Sequence, residues 1–257
     1  MPIRVGILGF TGKIGALCVG LCDGKDLVFA GGVMRPGSAK SLPPGATIHA
    51  DVASLAKASD VVVDFTHGSQ VEAHAKALAS GPAAWVVGTS GVSEEGRAAI
   101  KAASQKIPVV FAANFSLGMN VMLALAERLG SALPAESYDA EIIDIFHRLK
   151  VDAPSGTAEE IARAVMRGRG ETAEWEIGRS GHSPRKPGAI GFSSLRGGAV
   201  AGENTLMMTS RAEQTVLTHK VGNPRVYAKG AMQAVRWVQG RKPGLYSMKN
   251  VVAGDAQ

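Results

Sequence analysis

Aromatic side chains make up only 5% of the 257 residues, and cysteine occurs twice. The net charge of +6 is spread along the chain, with no Lys/Arg block. A nucleic-acid surface clusters basic residues with stacking rings, so that class of partner is not expected. Cys18 and Cys22 have no matching His or Cys cluster, so no metal site is expected; at i and i+4 they read as packing on one helix face. No apolar run reaches membrane-spanning length, and an apolar strand starts at Ile3 where a leader segment would lie. These absences read as a cytoplasmic chain with no membrane partner.

What is abundant is glycine, 32 residues, within a chain that is 46% hydrophobic and 19% charged. That composition suits a folded protein with many tight turns. The length allows one large domain or two ordinary ones. The spread positive charge suits small anionic ligands.

Short apolar runs at Ile3–Leu8, Leu27–Met34, Val61–Phe65, Trp85–Gly88 and Val109–Phe111 read as strands. Segments of helical spacing lie between them, at Ser69–Ala79 and Glu94–Lys106 for example. This alternation predicts an α/β domain with a parallel sheet covered on both faces. After Asn114 the character changes to helices over Leu117–Leu129 and Glu159–Arg167 around a strand at Ala140–Ile145. Gly-punctuated strands follow at Ile190–Phe192, Val200–Met208 and Thr215–Leu217, predicting an α+β domain with an antiparallel or mixed sheet. A last helix over Ala228–Val238 can return to the first domain. The expected division is 1–116 with 225–257, and 117–224.

Strand, then Gly9-Phe-Thr-Gly12-Lys-Ile-Gly15, then helix is the context of a dinucleotide site. Glycines there allow a tight turn and close approach of backbone to pyrophosphate; structural glycines are the bland alternative. Gly9, Thr11, Gly12, Lys13 and Ile14 are the expected contacts. At the end of the second strand, where a carboxylate would hold a ribose hydroxyl, the residues are Met34-Arg35. An Arg able to pair a 2′-phosphate favours NADPH, with NADH as the alternative. Phe65-Thr66 and Gly88-Thr89-Ser90 end later strands and can meet the nicotinamide half.

The most informative stretch is Asp144-Ile-Phe-His-Arg-Leu-Lys-Val-Asp-Ala-Pro-Ser-Gly-Thr157. A strand leads through His147 and Lys150 to Ser155-Gly156-Thr157 at a helix start. Unpaired N–H groups and two cations can converge there on one carboxylate or phosphate. The plainer alternative is a capped helix with incidental charges. Asp152 reads as support for the turn.

Together these residues resemble the dihydrodipicolinate reductase family of the bacterial lysine pathway. The likeness runs along nearly the whole chain, through Asp64-Phe-Thr66, Gly88-Thr-Ser-Gly91, Ala113-Asn-Phe-Ser116, Lys150-x-Asp-Ala-Pro-Ser-Gly-Thr157, Pro187-Gly-Ala-Ile-Gly191, Arg196-Gly-Gly198 and Gly202-Glu203. It implies a Rossmann-type N-terminal domain and a central substrate domain that also builds a homotetramer. It further implies hydride transfer from NAD(P)H to a cyclic conjugated imine bearing two carboxylates. By position, Lys150, Ser155, Gly156 and Thr157 would hold a substrate carboxylate with His147 beside it, and Ala113, Asn114 and Phe115 would complete the cofactor contacts. Lys150 and His147 are the expected catalytic groups.

One departure stands out. The family's strand ends in a His-His pair whose first member is taken as the proton donor, and here the pair is Phe146-His147. A positioned acid contributes ~100- to 10,000-fold in rate, so the change matters. Asn204 and Ala199 replace a usual His and Asp, the loop from His182 to Pro187 is slightly short, and Arg225 is displaced by one. Three explanations stand. Lys150, His147 or a water can supply the proton; Phe146 can reshape the pocket for another imine or an enone; or the chain is an NADPH-binding sensor. The retained Lys150–Thr157 string weighs toward catalysis. His147 has its own bland alternative, as a half-buried ring packing behind Phe146.

Overall fold

The computed structural model describes residues 1–34 and 46–254. The chain divides into two compact units, 1–117 with 225–257, and 118–224.

The first unit contains β1 (Ile3–Leu8), α1 (Lys13–Val19), β2 (Leu27–Val33), β3 (Ile48–His49), α2 (Val52–Ala58) and β4 (Val61–Asp64). A short 3₁₀ turn (Gly68–Gln70) then precedes α3 (Val71–Leu78), β5 (Ala84–Val87), α4 (Glu94–Ala103) and β6 (Pro108–Phe111). The seven-stranded sheet runs β12-β6-β5-β4-β1-β2-β3, with β12 (Gly244–Tyr246) added from the chain's last part. All its pairings are parallel. Side chains alternate between faces, so Val61 and Val63 join one core and Val62 the other. Helices cover both faces, which is why β4 and β5 are buried at every position. Order reverses between β1 and β4, and open α/β sheets bind ligands at the carboxyl ends beside such a reversal.

The second unit starts within α5 (Leu117–Ala132) and continues with β7 (Asp139–Phe146), α6 (Gly156–Arg169), β8 (Trp175–Ile177), β9 (Ile190–Arg196), β10 (Glu203–Thr209) and β11 (Gln214–Lys220). Its sheet, β11-β10-β7-β9-β8, is mixed. β7 and β8 run parallel to β9, while β10 is antiparallel to β7 and β11. Ile142, Phe192 and Leu206 pack with Ile161 and Val165 of α6 on one face; Leu195 and Val216, of the opposite parity, are exposed. The chain closes with α7 (Arg225–Val238) and α8 (Met248–Ala253).

Several sequence expectations need correction. α1 stops at Val19, with Gly20 as its C-cap, so Cys22 lies beyond the helix, although both cysteines pack on the same core. Burial raises both thiols, Cys18 to about 12 and Cys22 to about 11, which leaves them protonated packing groups. β10 begins at Glu203 because Gly202 takes φ +154°, outside strand geometry. α6 begins three residues before the expected Glu159 because Ser155 caps it. Among the described residues, no helix is long and apolar enough to cross a membrane.

Candidate active site

In the first unit, candidate residues sit at the carboxyl ends of β1, β4 and β5. Gly9 leaves β1 with φ +77°, and a Cβ there would stand 2.7 Å from the Phe65 carbonyl oxygen. At Gly15 a Cβ would collide with the Gly9 carbonyl, so only glycine lets α1 start this close to β1. The N-cap Gly12 supplies no side-chain hydrogen bond, leaving first-turn N–H groups open to an anion. A narrow glycine-lined turn at the sheet's reversal fits the pyrophosphate of a dinucleotide.

The turns after β4 and β5 are tied to each other. The Asp64 carboxylate, fully buried, accepts from the Thr66 N–H at 3.0 Å, the Thr66 hydroxyl at 2.6 Å and the Thr89 hydroxyl at 3.2 Å. His67 and Ser90 form a parallel bridge between the two turns. Phe65 stacks edge-on against Phe115 at 5.8 Å.

In the second unit β7 ends at Phe146, and the chain loops to the capped start of α6. The Ser155 hydroxyl accepts from Ala158 N–H at 3.2 Å, and the Ser155 N–H donates to Asp144 at 3.0 Å. Arg196 donates to that same Asp144 oxygen at 3.0 Å and to the Asp152 carbonyl at 2.6 Å. Strand register explains the frame: Asp144 and Phe146 of β7 sit opposite Ser194 and Arg196 of β9. Burial pushes the Asp144 carboxyl up, but the Ser194 hydroxyl, Arg196 and Ser155 outweigh it and hold the group below its ordinary range. Lys150 Nζ donates to both Asp152 oxygens at 2.7 Å and lies 4.9 Å from the Phe146 ring centroid, with Arg196 5.4 Å from the same ring.

Two family models divide the sequence between them: "Dihydrodipicolinate reductase, N-terminus" matches residues 3–115 and "Dihydrodipicolinate reductase, C-terminus" matches 118–252. The chain belongs to the dihydrodipicolinate reductase family. It is 49% identical over 253 residues to 4-hydroxy-tetrahydrodipicolinate reductase of Granulibacter bethesdensis, covering 97% of each chain. It is 43% identical to the enzyme of that name from Gluconacetobacter diazotrophicus, with 98% of each chain covered. Among solved structures it resembles a dipicolinate-bound dihydrodipicolinate reductase from Paenisporosarcina sp. TG-14, with a TM-score of 0.82 and 22% identity over 97% of this chain and 99% of the other. At that identity the likeness speaks for the fold.

Within this member of the family, the fold gathers the expected residues into two groups, one in each unit. Gly9, Gly12, Phe65, Thr66, Gly88 and Thr89 line adjoining turns of the first; Lys13 and Ser90 are exposed there. Ile14 and Phe115 pack into the core, so their available contacts are through backbone. Asn114 accepts from the Ser116 N–H at 2.9 Å, and Ala113 is exposed beside it. Arg35 lies outside the described residues. Ser155, Gly156 and Thr157 form the α6 entrance in the second unit, with Ser155 1% exposed and its hydroxyl committed to the cap, and Lys150 lies in the loop before them on the Asp152 carboxylate. His147 is half-buried, with Nδ1 enclosed and without a hydrogen-bond partner. Asp144 and Arg196, the frame of this group, stand in the quoted sequence strings without a role of their own. Their signal was a buried-strand carboxylate and a strand-end guanidinium whose pairing required the β7–β9 register.

Proposed function

We propose that the protein is a cytoplasmic, NADPH-dependent 4-hydroxy-tetrahydrodipicolinate reductase of lysine biosynthesis, working as a homotetramer. The observation that supports the reaction class best is the retained Lys150-to-Thr157 string, with the Lys150 ammonium on Asp152 and Ser155 capping the start of α6. Full-length relatives at 36–49% identity bear that enzyme's name. Bound NADPH supplies the hydride. The glycine turn at 9–15 holds the pyrophosphate, the turns at 65–66 and 88–90 with Ala113–Phe115 hold the nicotinamide half, and Arg35 pairs the 2′-phosphate.

In the second unit, Lys150 and the N–H groups of Gly156 and Thr157 grip one ring carboxylate. Phe146 carries no proton, so the transferable one resides on Lys150 Nζ, with His147 as the neighbouring imidazole. Asp152 keeps the ammonium in place through an ion pair at 2.7 Å. Lys150→Ala is expected to cut kcat/KM by ~100- to 10,000-fold while NADPH affinity stays at the wild-type value. Steady-state rates with the family's imine substrate and fluorescence titration with NADPH check this, and full activity in the variant would remove Lys150 from the site.

A further inference from the structure

The Asp64–His74 pair has no part in the reading above. His74, on α3, is 9% exposed, and its Nδ1 meets Asp64 Oδ2 at 2.7 Å. Burying a carboxylate and an imidazole together is costly unless every polar atom is used. Here both Asp64 oxygens and His74 Nδ1 are used, toward one end. The second Asp64 oxygen takes Thr66 N–H, Thr66 Oγ1 and Thr89 Oγ1, while the Asp64 carbonyl accepts from Gly88 N–H at 2.9 Å. One carboxylate thus ties both nicotinamide-side turns to α3.

The tied segment is also wedged. A Cβ on Gly9 would press on the Phe65 carbonyl, a Cβ on Gly88 would strike the Phe65 ring, and a Cβ on Gly68 would strike the Gly91 carbonyl. The turn after β4 therefore has backbone contact with the glycine turn on one side and the 88–91 turn on the other. Any movement of Asp64 moves both walls of the cofactor groove.

We propose that Asp64 and His74 are positioning residues for the cofactor: the pair locks the turns at 65–66 and 88–90 into the shape that receives a reduced nicotinamide. This rests on the assignment of that groove to NAD(P)H. Because those turns face the part shared by both nucleotides, the pair acts on NADPH and NADH alike.

The test is His74→Leu in the full-length protein, with Kd for NADPH and NADH read by nucleotide fluorescence alongside thermal melting. Loss of a charge-assisted hydrogen bond predicts both Kd values rising roughly tenfold. His74→Asn, whose amide nitrogen stands where Nδ1 does, should return both to within about threefold. Ser59→Ala serves as the stability control, since Ser59 is buried in the same unit with its hydroxyl on the Leu55 carbonyl; it should lower Tm and leave both Kd values unchanged. If His74→Leu does not fold, Asp64→Asn decides by the same measurement. Wild-type Kd values in a folded His74→Leu or Asp64→Asn, or a matching rise in Ser59→Ala, would overturn the positioning role alone. Failure of the wild-type protein to bind either nucleotide would overturn the groove assignment and the pair's role with it.

Discussion

Phe146 sits where an ionisable side chain would have joined two cations. Its ring faces the Lys150 ammonium and the Arg196 guanidinium, and it packs against Gly202, whose missing Cβ makes room for the ring edge. A cation held over an aromatic face gains about 0.5–2 kcal/mol, so the ring serves as a platform for Lys150. Phe146→Leu should remove it and lower kcat roughly 3- to 30-fold with NADPH Kd unchanged, as steady-state kinetics and titration would show. Phe146→His has a different expected outcome. Two neighbouring positive charges disfavour protonation of the new imidazole, pushing its pKa below the usual value of about 6.5. Any gain in kcat should therefore appear only toward acid pH, and a pH–rate profile unchanged from wild type would contradict the placement of those charges. At this scale the sequence exposed Phe146 as a departure but not its neighbours, because Arg196 is fifty residues away and arrives through β9.

At the scale of elements, the helix entrances carry the design. Ser155 satisfies an N–H of α6 with its hydroxyl while its own N–H is spent on Asp144. Ser155→Ala should cost about 1 kcal/mol of stability, seen as a lower Tm, and should loosen the first turn of α6. Gly15→Ala is more severe, because its Cβ meets the Gly9 carbonyl; loss of NADPH binding in a fluorescence titration is the expected result. The long apolar strands and capped helices were legible because burial on both faces and Ser caps leave local signals. β3 and β12 were not, since two and three residues are too few to show a periodic pattern. α2 was missed although Asp51 and Ser54 form a capping box that was readable in the sequence.

For the molecule as a whole, carboxylates pinned by donors govern the response to pH. Asp23, Asp51, Asp60, Asp144 and Asp152 are all held below their ordinary range by hydrogen bonds or cationic partners. A group whose folded pKa is depressed stabilises the native state fully above its unfolded value and loses that contribution as pH falls through the folded one. Stability should accordingly decline below about pH 4, after a smaller decline that begins near the usual histidine value of about 6.5, because burial disfavours protonation of His219 in the folded protein. Asp144→Asn should flatten part of that acid decline while lowering Tm at pH 7, since Arg196 would lose its buried anionic partner. Melting curves from pH 3 to about 8 check both statements.

The longer strands and helices in their order, the glycine turn and the cation-and-cap string were determined by the sequence alone, because periodicity, caps and turn residues act over a few positions. Which polar groups meet was decided only by tertiary structure. Asp64 with His74, Asp144 with Arg196, and Phe146 beneath two cations come together through a helix crossing or strand register. Pairings of that kind leave no periodic trace, since burial of the surrounding apolar faces sets them in space.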